Sequence, residues 1–472
     1  MTNKKTDHDV IVIGGGPGGY VAAIRASQLG LSVAVIEKEN MGGICLNWGC
    51  IPTKALLRTA EIKHLIDNAS DFGLKVANAS VDLDAVVTRS RNVAKQLSSG
   101  IGHLMKKNKV DVFMTAASLG GVTQGLREVI LEDKKVLRAK NIILATGARA
   151  RSLPGIDANG DTIVTYRDAM TPKTMPKSLI VVGSGAIGME FASFYADLGV
   201  DVTVLEAVDR ILPAEDKEIS AFAMKSFTER GIKIKTGVML KGVTSSKSGI
   251  VATIEEKSQK VELSADRMIL AVGIAANTEN LGLEKTKIKL DRGHVVTSGN
   301  MQTDEDGIYA IGDMTGAPWL AHKASHEGII AAESIAATGS KNETSHGVDR
   351  NMIPGCTYCR PQIASVGMTE QDALDGGYDI KVGRFPFLAN GKAIALGDDN
   401  GMIKTIFDKK SGALLGAHMI GPEVTELIQG YVIAMQLETT EEDLMHTIFP
   451  HPTLSEAMHE SVLDAFDKAL HF

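Results

Sequence analysis

Cys45 and Cys50 stand with four residues between them in the glycine-rich stretch 42–54, GGICLNWGCIPTK. Such a pair can cycle as a disulfide, hold a metal, or rest as two buried thiols. Zinc needs further ligands, and no nearby His or Cys supplies them. A disulfide needs Cα atoms about 4.4–6.8 Å apart. An extended chain would hold these positions at roughly 16 Å and a regular helix at roughly 8–9 Å. The pair therefore closes only on a tight or distorted turn, for which Gly42, Gly43 and Gly49 supply backbone freedom. Strained or exposed disulfides are the readily reduced, catalytic ones. Spacing alone leaves both a redox pair and two structural thiols open.

A second constellation is His451-Pro452-Thr453-Leu454-Ser455-Glu456. A histidine can act as a base near neutral pH, and a carboxylate can orient it and stabilise its cation. The plainer reading is a helix start capped by Ser or Thr, and the local sequence leaves both open. The C-x-x-C pair Cys356 and Cys359 reads as structural thiols, since i and i+3 on a strand face opposite ways.

The elements that must position these groups begin with an apolar strand at 10–13. Gly14-Gly15-Gly16-Pro17-Gly18-Gly19, a helix over 20–29 and a strand over 31–36 ending at Glu37 follow. In this pattern Gly14 permits the turn, Gly16 lets the backbone approach a pyrophosphate, and Gly19 lets helix and strand pack. Glu37 can accept hydrogen bonds from ribose hydroxyls. Residues 179–206, LIVVGSGAIGMEFASFYADLGVDVTVLE, align without gaps on 10–37, VIVIGGGPGGYVAAIRASQLGLSVAVIE. The repeat predicts two dinucleotide sites on separate domains, with Gly183, Gly185, Gly188 and Glu206 in the corresponding roles. A carboxylate at Glu206 repels a 2′-phosphate, so the second site is expected to prefer NAD. Arg210 is expected on the solvated surface.

Helices are expected over 55–68 and 83–107, the latter with Val86, Val87, Val93, Leu97, Ile101 and Leu104 on one packing side. Residues 110–140 read as a β-meander and 141–144 as a strand leading to Ala145-Thr146-Gly147. Residues 268–270 lead likewise to Ala271-Val272-Gly273, and 308–313 form a strand ending in Gly312-Asp313. From about 346, strand-like segments at 352–366, 379–388 and 401–418 precede helices at 423–436 and 454–468, an α+β texture.

At 472 residues, with 44% apolar and 23% charged residues and 48 glycines, the composition is that of a multidomain globular protein. The net charge of -7 offers no basic patch for nucleic acid. No apolar run reaches the roughly 18 residues of a membrane helix, and the polar start MTNKKTDHD has no secretory h-region. Four cysteines suit a reducing compartment, so a cytoplasmic location is expected.

Assembled, GGICLNWGCIPTKALL, the paired glycine motifs, AIGD and HPTLSE closely resemble the flavin-dependent pyridine nucleotide-disulfide oxidoreductases over nearly the whole chain. Within them the match is best to the dihydrolipoamide dehydrogenases. The resemblance implies an α/β chain with two Rossmann-like domains, for FAD and NAD, and a C-terminal α+β dimerisation domain. It divides the chain at 1–150 (FAD domain with the redox disulfide), 151–273 (NAD domain), 274–345 (central domain completing the FAD site) and 346–472 (interface domain).

It implies Cys45, Cys50, His451 and Glu456 as catalytic, with the His–Glu pair serving the disulfide of the other subunit of a homodimer. FAD would contact Gly14, Gly16, Gly19, Glu37, Lys54, Ala145, Thr146, Gly147, Asp313, Leu320, Ala321 and His322. NAD would contact Gly183, Gly185, Gly188, Glu190, Glu206 and Gly273, and Lys54 and Glu190 would pair near the flavin ring. The implied partners are lipoyl domains of 2-oxoacid dehydrogenase or glycine cleavage complexes; no metal, nucleic acid or membrane is implied. Thr115-Ala116-Ala117, Trp48 and Trp319 depart from the family's usual residues. Sister reductases fit less well. Glutathione-type enzymes want basic residues where Glu206 stands and a tyrosine where Ile187 stands, and others carry a C-terminal cysteine pair where this chain reads AFDKALHF.

Overall fold

The computed structural model describes residues 7–77, 79–338 and 347–472. Residues 1–6 and the expected boundary between 345 and 346 lie outside the described residues. The chain forms two compact units, one of residues 1–55, 88–151 and 274–348, the other of 56–87, 152–273 and 349–472.

In the first unit, strands Asp111–Met114, Val33–Glu37, Asp7–Ile13 and Val136–Leu144 pair in parallel in that order, and Ile308–Ala310 adds in parallel beside Val136–Leu144. Leu126–Leu131 and Ala117–Thr123 continue antiparallel. The meander expected over 110–140 thus begins one strand later: Asp111–Met114 joins the parallel sheet instead. Val10–Ile13 and Ile142–Leu144 are buried, as continuous apolar runs in a parallel sheet covered on both faces should be. Helices Pro17–Gln28 and Ala321–Ala337 approach backbone to backbone. A β-carbon at Gly328 would come 2.5 Å from the Gly18 carbonyl oxygen.

The helix expected from residue 55 begins at Cys50 and runs to Asp67. Pro52 is tolerated because amides in a helix's first turn have no intrahelical partner. Helix Leu83–Lys107 has the expected bounds but another buried face. Ser90, Ala94, Ile101 and Met105 are buried, while Leu97 and Leu104 are exposed. The reason is polar. Ser90 Oγ donates to Pro52 O (3.1 Å), Arg91 Nη1 to Asn47 O (2.7 Å) and Ser98 Oγ to Met41 O (2.7 Å), so the helix satisfies carbonyls of the turn it packs on.

The second unit holds a parallel sheet ordered Lys233–Lys235, Asp201–Leu205, Ser178–Val182, Arg267–Leu270, Ile163–Val164. A three-stranded antiparallel sheet of Met239–Ser246, Gly249–Glu256 and Gln259–Ala265 follows. The C-terminal sheet is antiparallel, ordered Gly355–Thr357, Gln362–Gly367, Leu414–Gly421, Met402–Asp408, Ile380–Pro386. Helices Val424–Gln436 and Glu456–Ala465 are present as expected, the latter shorter at both ends. Cys356 and Cys359 are both thiols; Cys359 is buried with Sγ 3.2 Å from Pro361 O.

This unit also buries charge. Lys404, only 2% exposed, pairs with Asp216 (2.8 Å), Glu218 (3.1 Å) and Glu370 (2.7 Å). Arg384 bridges the same Glu218 and Glu370. Next to Asp216, Glu215 keeps one carboxyl oxygen out of reach of water with no hydrogen-bond partner. Burial pushes its pKa to about 7; a Ser365 hydrogen bond pulls down and the Asp216 charge pushes up. Among the described residues no helix is long and apolar enough to cross a membrane.

Candidate active site

The first glycine turn follows strand Asp7–Ile13 directly. Gly14 has φ +113°, and a β-carbon there would lie 2.1 Å from the Ala145 carbonyl oxygen. A β-carbon at Gly19 would lie 1.9 Å from Gly14 O, so helix and strand pack through that glycine. Gly16 differs: a β-carbon there would meet only Gly43 Cα at 3.9 Å. Gly14 and Gly19 are thus required by the protein's own packing, whereas Gly16 faces open space. Gly16 caps helix Pro17–Gln28 with no side chain satisfying the first amides. Open space beside unsatisfied helix amides fits a phosphate group. Glu37 Oε2 accepts from Gly15 N (2.7 Å) and Oε1 from Glu39 N (2.7 Å). A carboxylate has about four acceptor positions, so capacity for ribose hydroxyls remains.

The second turn repeats this in the other unit. Gly183 has φ +98° and a β-carbon there would lie 2.3 Å from Ala271 O; one at Gly188 would lie 2.0 Å from Gly183 O; one at Gly185 would meet nothing within 4 Å. Gly185 caps helix Ala186–Asp197, again without a side-chain cap. Glu206 Oε2 accepts from Ser184 N (2.9 Å) and Ser184 Oγ (2.6 Å), and Oε1 from Val208 N (3.0 Å). Gly273 has φ +103°. Arg210 lies at the surface, its side chain 36% exposed, and donates to Pro213 O (3.0 Å). Both cradles are closed over by the chain beyond the acid. Gly42 N donates to Gly15 O (2.8 Å) and Leu212 N to Ser184 O (3.0 Å), both residues having left-handed backbone, φ +90° and +47°.

The redox stretch lies over the first cradle. A β-carbon at Gly43 would come 2.7 Å from Gly16 Cα. Cys45 belongs to the short helix Gly43–Trp48, which breaks at Gly49, and Cys50 opens the next helix. The break is the distorted turn that the spacing required. Both cysteines are thiols here, and their side chains hydrogen-bond. The Cys45 thiol is held far above its ordinary value, first by that hydrogen bond, then by burial and by the charge on Cys50; Lys54 pulls the other way.

Ala145 N donates to Ile13 O, and Thr146 Oγ1 to Asn277 O (2.7 Å), which fixes the turn carrying Gly147 (φ +69°). Asp313 lies in the 3₁₀ turn Gly312–Thr315. Burial raises its carboxyl above the ordinary range, against the pull of Lys323. Leu320 caps helix Ala321–Ala337, again with no side-chain cap; Ala321 is partly buried and His322 exposed.

Sequence reasoning missed what braces this corner. Lys323 Nζ is buried between Glu327 (2.9 Å), Gly312 O (3.3 Å) and Gly316 O (3.1 Å), and Glu327 Oε2 accepts from Gly312 N (2.6 Å). The lysine and glutamate four apart in AHKASHEG were the available signal. Trp319 stacks on His294, ring centres 6.0 Å apart.

In the second unit, Glu190 is buried and accepts from Tyr358 N (2.9 Å). His451 Nδ1 lies 2.8 Å from Glu456 Oε1, and Glu456 Oε2 accepts from Thr453 N (2.9 Å). Burial would raise the Glu456 carboxyl, but the Thr453 amide and His451 more than offset it and hold it low. A proton on His451 Nδ1 can be donated to the ionised Glu456, which leaves Nε2 of the exposed ring able to accept another.

The sequence matches the family model of pyridine nucleotide-disulphide oxidoreductase over residues 8–328 and that of the family's dimerisation domain over 353–462. A dihydrolipoyl dehydrogenase of Zymomonas mobilis subsp. mobilis is 55% identical over 468 residues, covering 99% of this chain and 100% of the relative. One from Rhizobium etli is 56% identical over 480 residues, covering 98% and 99%. Among solved structures, LpdA from Mycobacterium tuberculosis superposes with a TM-score of 0.88 at 28% identity, covering 97% and 99%. The HOCl-induced flavoprotein disulfide reductase RclA from Escherichia coli gives 0.84 at 26%, covering 96% and 99%. With these matches spanning nearly its whole length, the chain belongs to the pyridine nucleotide-disulphide oxidoreductases.

Proposed function

We propose that the chain is a dihydrolipoyl dehydrogenase that moves two electrons from a dihydrolipoyl group to NAD. The observation that carries this is the hydrogen-bonded Cys45–Cys50 pair seated on the Gly14–Gly19 cradle. In this reading FAD binds through Gly14, Gly16, Gly19, Glu37, Lys54, Ala145–Gly147, Asp313 and Leu320–His322. NAD binds through Gly183, Gly185, Gly188, Glu190, Glu206 and Gly273. The divisions at residues 150, 273 and 345 belong to the same reading.

The cycle starts from the Cys45–Cys50 disulfide. His451 Nε2 takes the proton of one dihydrolipoyl thiol, since the thiolate is the nucleophile. That thiolate attacks Cys45 Sγ, the Cys45–Cys50 bond breaks, and Cys50 leaves as a thiolate. The second substrate thiol, deprotonated in turn, attacks the substrate sulfur of the mixed disulfide and closes the lipoyl ring. Cys45 is released and takes up a proton, in keeping with the raised affinity of its thiol for one. Two electrons have then passed from substrate to the cysteine pair. Bound FAD supplies the two-electron relay from the thiols to NAD.

The dimerisation domain supports a homodimer, in which we assign His451 and Glu456 to the active site of the other subunit. Partners in this reading are lipoyl domains of 2-oxoacid dehydrogenase or glycine cleavage complexes, in the cytoplasm. A coupled assay tests it. Dihydrolipoamide with NAD should give NADH rapidly, and Cys45→Ser should abolish the reaction. Turnover only with NADP, or only with glutathione disulfide as oxidant of NADH, would overturn the assignment in favour of a sister reductase.

A further inference from the structure

Trp48 stands inside the redox turn, in the short helix that carries Cys45. The Arg91 guanidinium carbon lies 4.5 Å from the centre of the Trp48 ring. Arg91 Nη1 donates to Asn47 O at 2.7 Å, a carbonyl at the end of the short helix between the two cysteines. Trp48 Nε1 donates to Glu39 Oε1 at 3.2 Å. Asn47 Nδ2 donates back to Met41 O (3.1 Å) and Gly43 O (2.9 Å). The turn is therefore held from both sides, by its own asparagine within and by Arg91 from helix Leu83–Lys107.

Arg91 leaves part of its guanidinium unpartnered. No carboxylate among the described residues pairs with it, and its Nε and Nη2 are shut away from water without hydrogen-bond partners. A cleft of about 370 Å³ lies alongside, lined by Asn40, Asn47, Trp48, Arg91, Lys95 and Ser98 among others, with no acid in its wall. Covering two guanidinium donors without partners costs free energy. A brace with no role beyond general stability would gain more from an ordinary salt bridge.

We infer that Arg91 is a positioning residue for the redox step: clamped on Asn47 O and Trp48, it sets the helix break that holds Cys50 Sγ against Cys45 Sγ, and so sets how readily the pair closes as a disulfide. The inference rests on the reading of Cys45–Cys50 as the redox pair. Closure of a disulfide depends on the geometry in which its sulfurs are presented. Fixing the break in advance means that little ordering remains to be done when the bond forms.

The test uses the purified holoprotein equilibrated against a series of reduced to oxidised dithiothreitol ratios. Free thiols are trapped with iodoacetamide and the Cys45 and Cys50 peptides are counted by mass. Wild type should titrate as a two-thiol couple; if it does not cycle, the redox-pair reading itself fails. Given cycling, Arg91→Ala should lower the closing constant about tenfold, or about 30 mV toward easier reduction for a two-electron couple. Trp48→Val should shift it the same way, and the double variant should fall short of the product of the two. Arg91→Lys, which keeps a donor for Asn47 O, should recover part of the loss. A closing constant for Arg91→Ala within twofold of wild type overturns the inference, whether or not the melting temperature falls. If Arg91→Ala does not fold, Trp48→Val and Arg91→Lys decide by the same criterion.

Discussion

Glu215 allows a perturbation whose size follows from the structure. Its carboxyl ordinarily titrates near 4.5 and is pushed to about 7 in the fold by burial and the charge of Asp216. The folded chain therefore holds a proton there that the unfolded chain has released once pH passes the ordinary value. Between those two values the native state binds more protons, so stability falls as pH rises, and the loss is complete above about pH 7. At 1.36 kcal/mol per pH unit this amounts to about 3 kcal/mol. Glu215→Gln keeps the shape and cannot ionise. The difference in stability between wild type and variant, read from urea unfolding followed by far-ultraviolet circular dichroism, should move by about 3 kcal/mol in favour of the variant from pH 5 to pH 8. A comparison between variants is needed because a chain of this size does not unfold in two states. If both proteins show the same pH slope, Glu215 is ionised in the native protein and the argument from its enclosed, unpartnered oxygen fails.

Other expectations follow from the same geometry. Gly185→Ala meets no protein atom, so melting temperature and flavin content should hold while KM for NAD rises about tenfold; Gly188→Ala collides with Gly183 O and should lower the yield of folded protein. Glu456→Gln removes the carboxylate that holds His451 Nδ1, and His451→Gln removes the base of the proposed cycle. Each should lower kcat with dihydrolipoamide, the latter by about 10²–10⁴, with flavin absorbance unchanged. Lys404→Met leaves Asp216, Glu218 and Glu370 without their buried cation and should cost about 3–5 kcal/mol, visible as a large fall in melting temperature.

Much of the site was legible because its signals are local. Glycines at positions 14, 16 and 19, their copies at 183, 185 and 188, and the acids closing each repeat mark backbone constraints that only sequence-adjacent residues can meet. The need for a distorted turn between Cys45 and Cys50 followed from distance alone. What was not legible joins residues far apart in sequence. Arg91 reaches back to Asn47, and Lys404 gathers Asp216, Glu218 and Glu370 from the starts of two helices. Helix Leu83–Lys107 was read by its apolar residues, whereas hydrogen bonds from Ser90, Arg91 and Ser98 chose its face. The missed first turn of helix Cys50–Asp67 reflects how a glycine and a proline near a helix start mask a propensity that packing then overrides.

The two glycine turns are tied down by unlike residues. Gly15 and Ser184 occupy the same place in the repeat, and each receives an amide from a left-handed residue a short way past the acid. In one copy that residue is Gly42, which adopts the conformation freely. In the other it is Leu212, buried and held there at a cost a leucine incurs and a glycine does not. The tie comes from the residue 27 past Gly15 in one copy and 28 past Ser184 in the other. One corner thus leaves room for the turn that carries Cys45, while its counterpart is filled by a buried leucine.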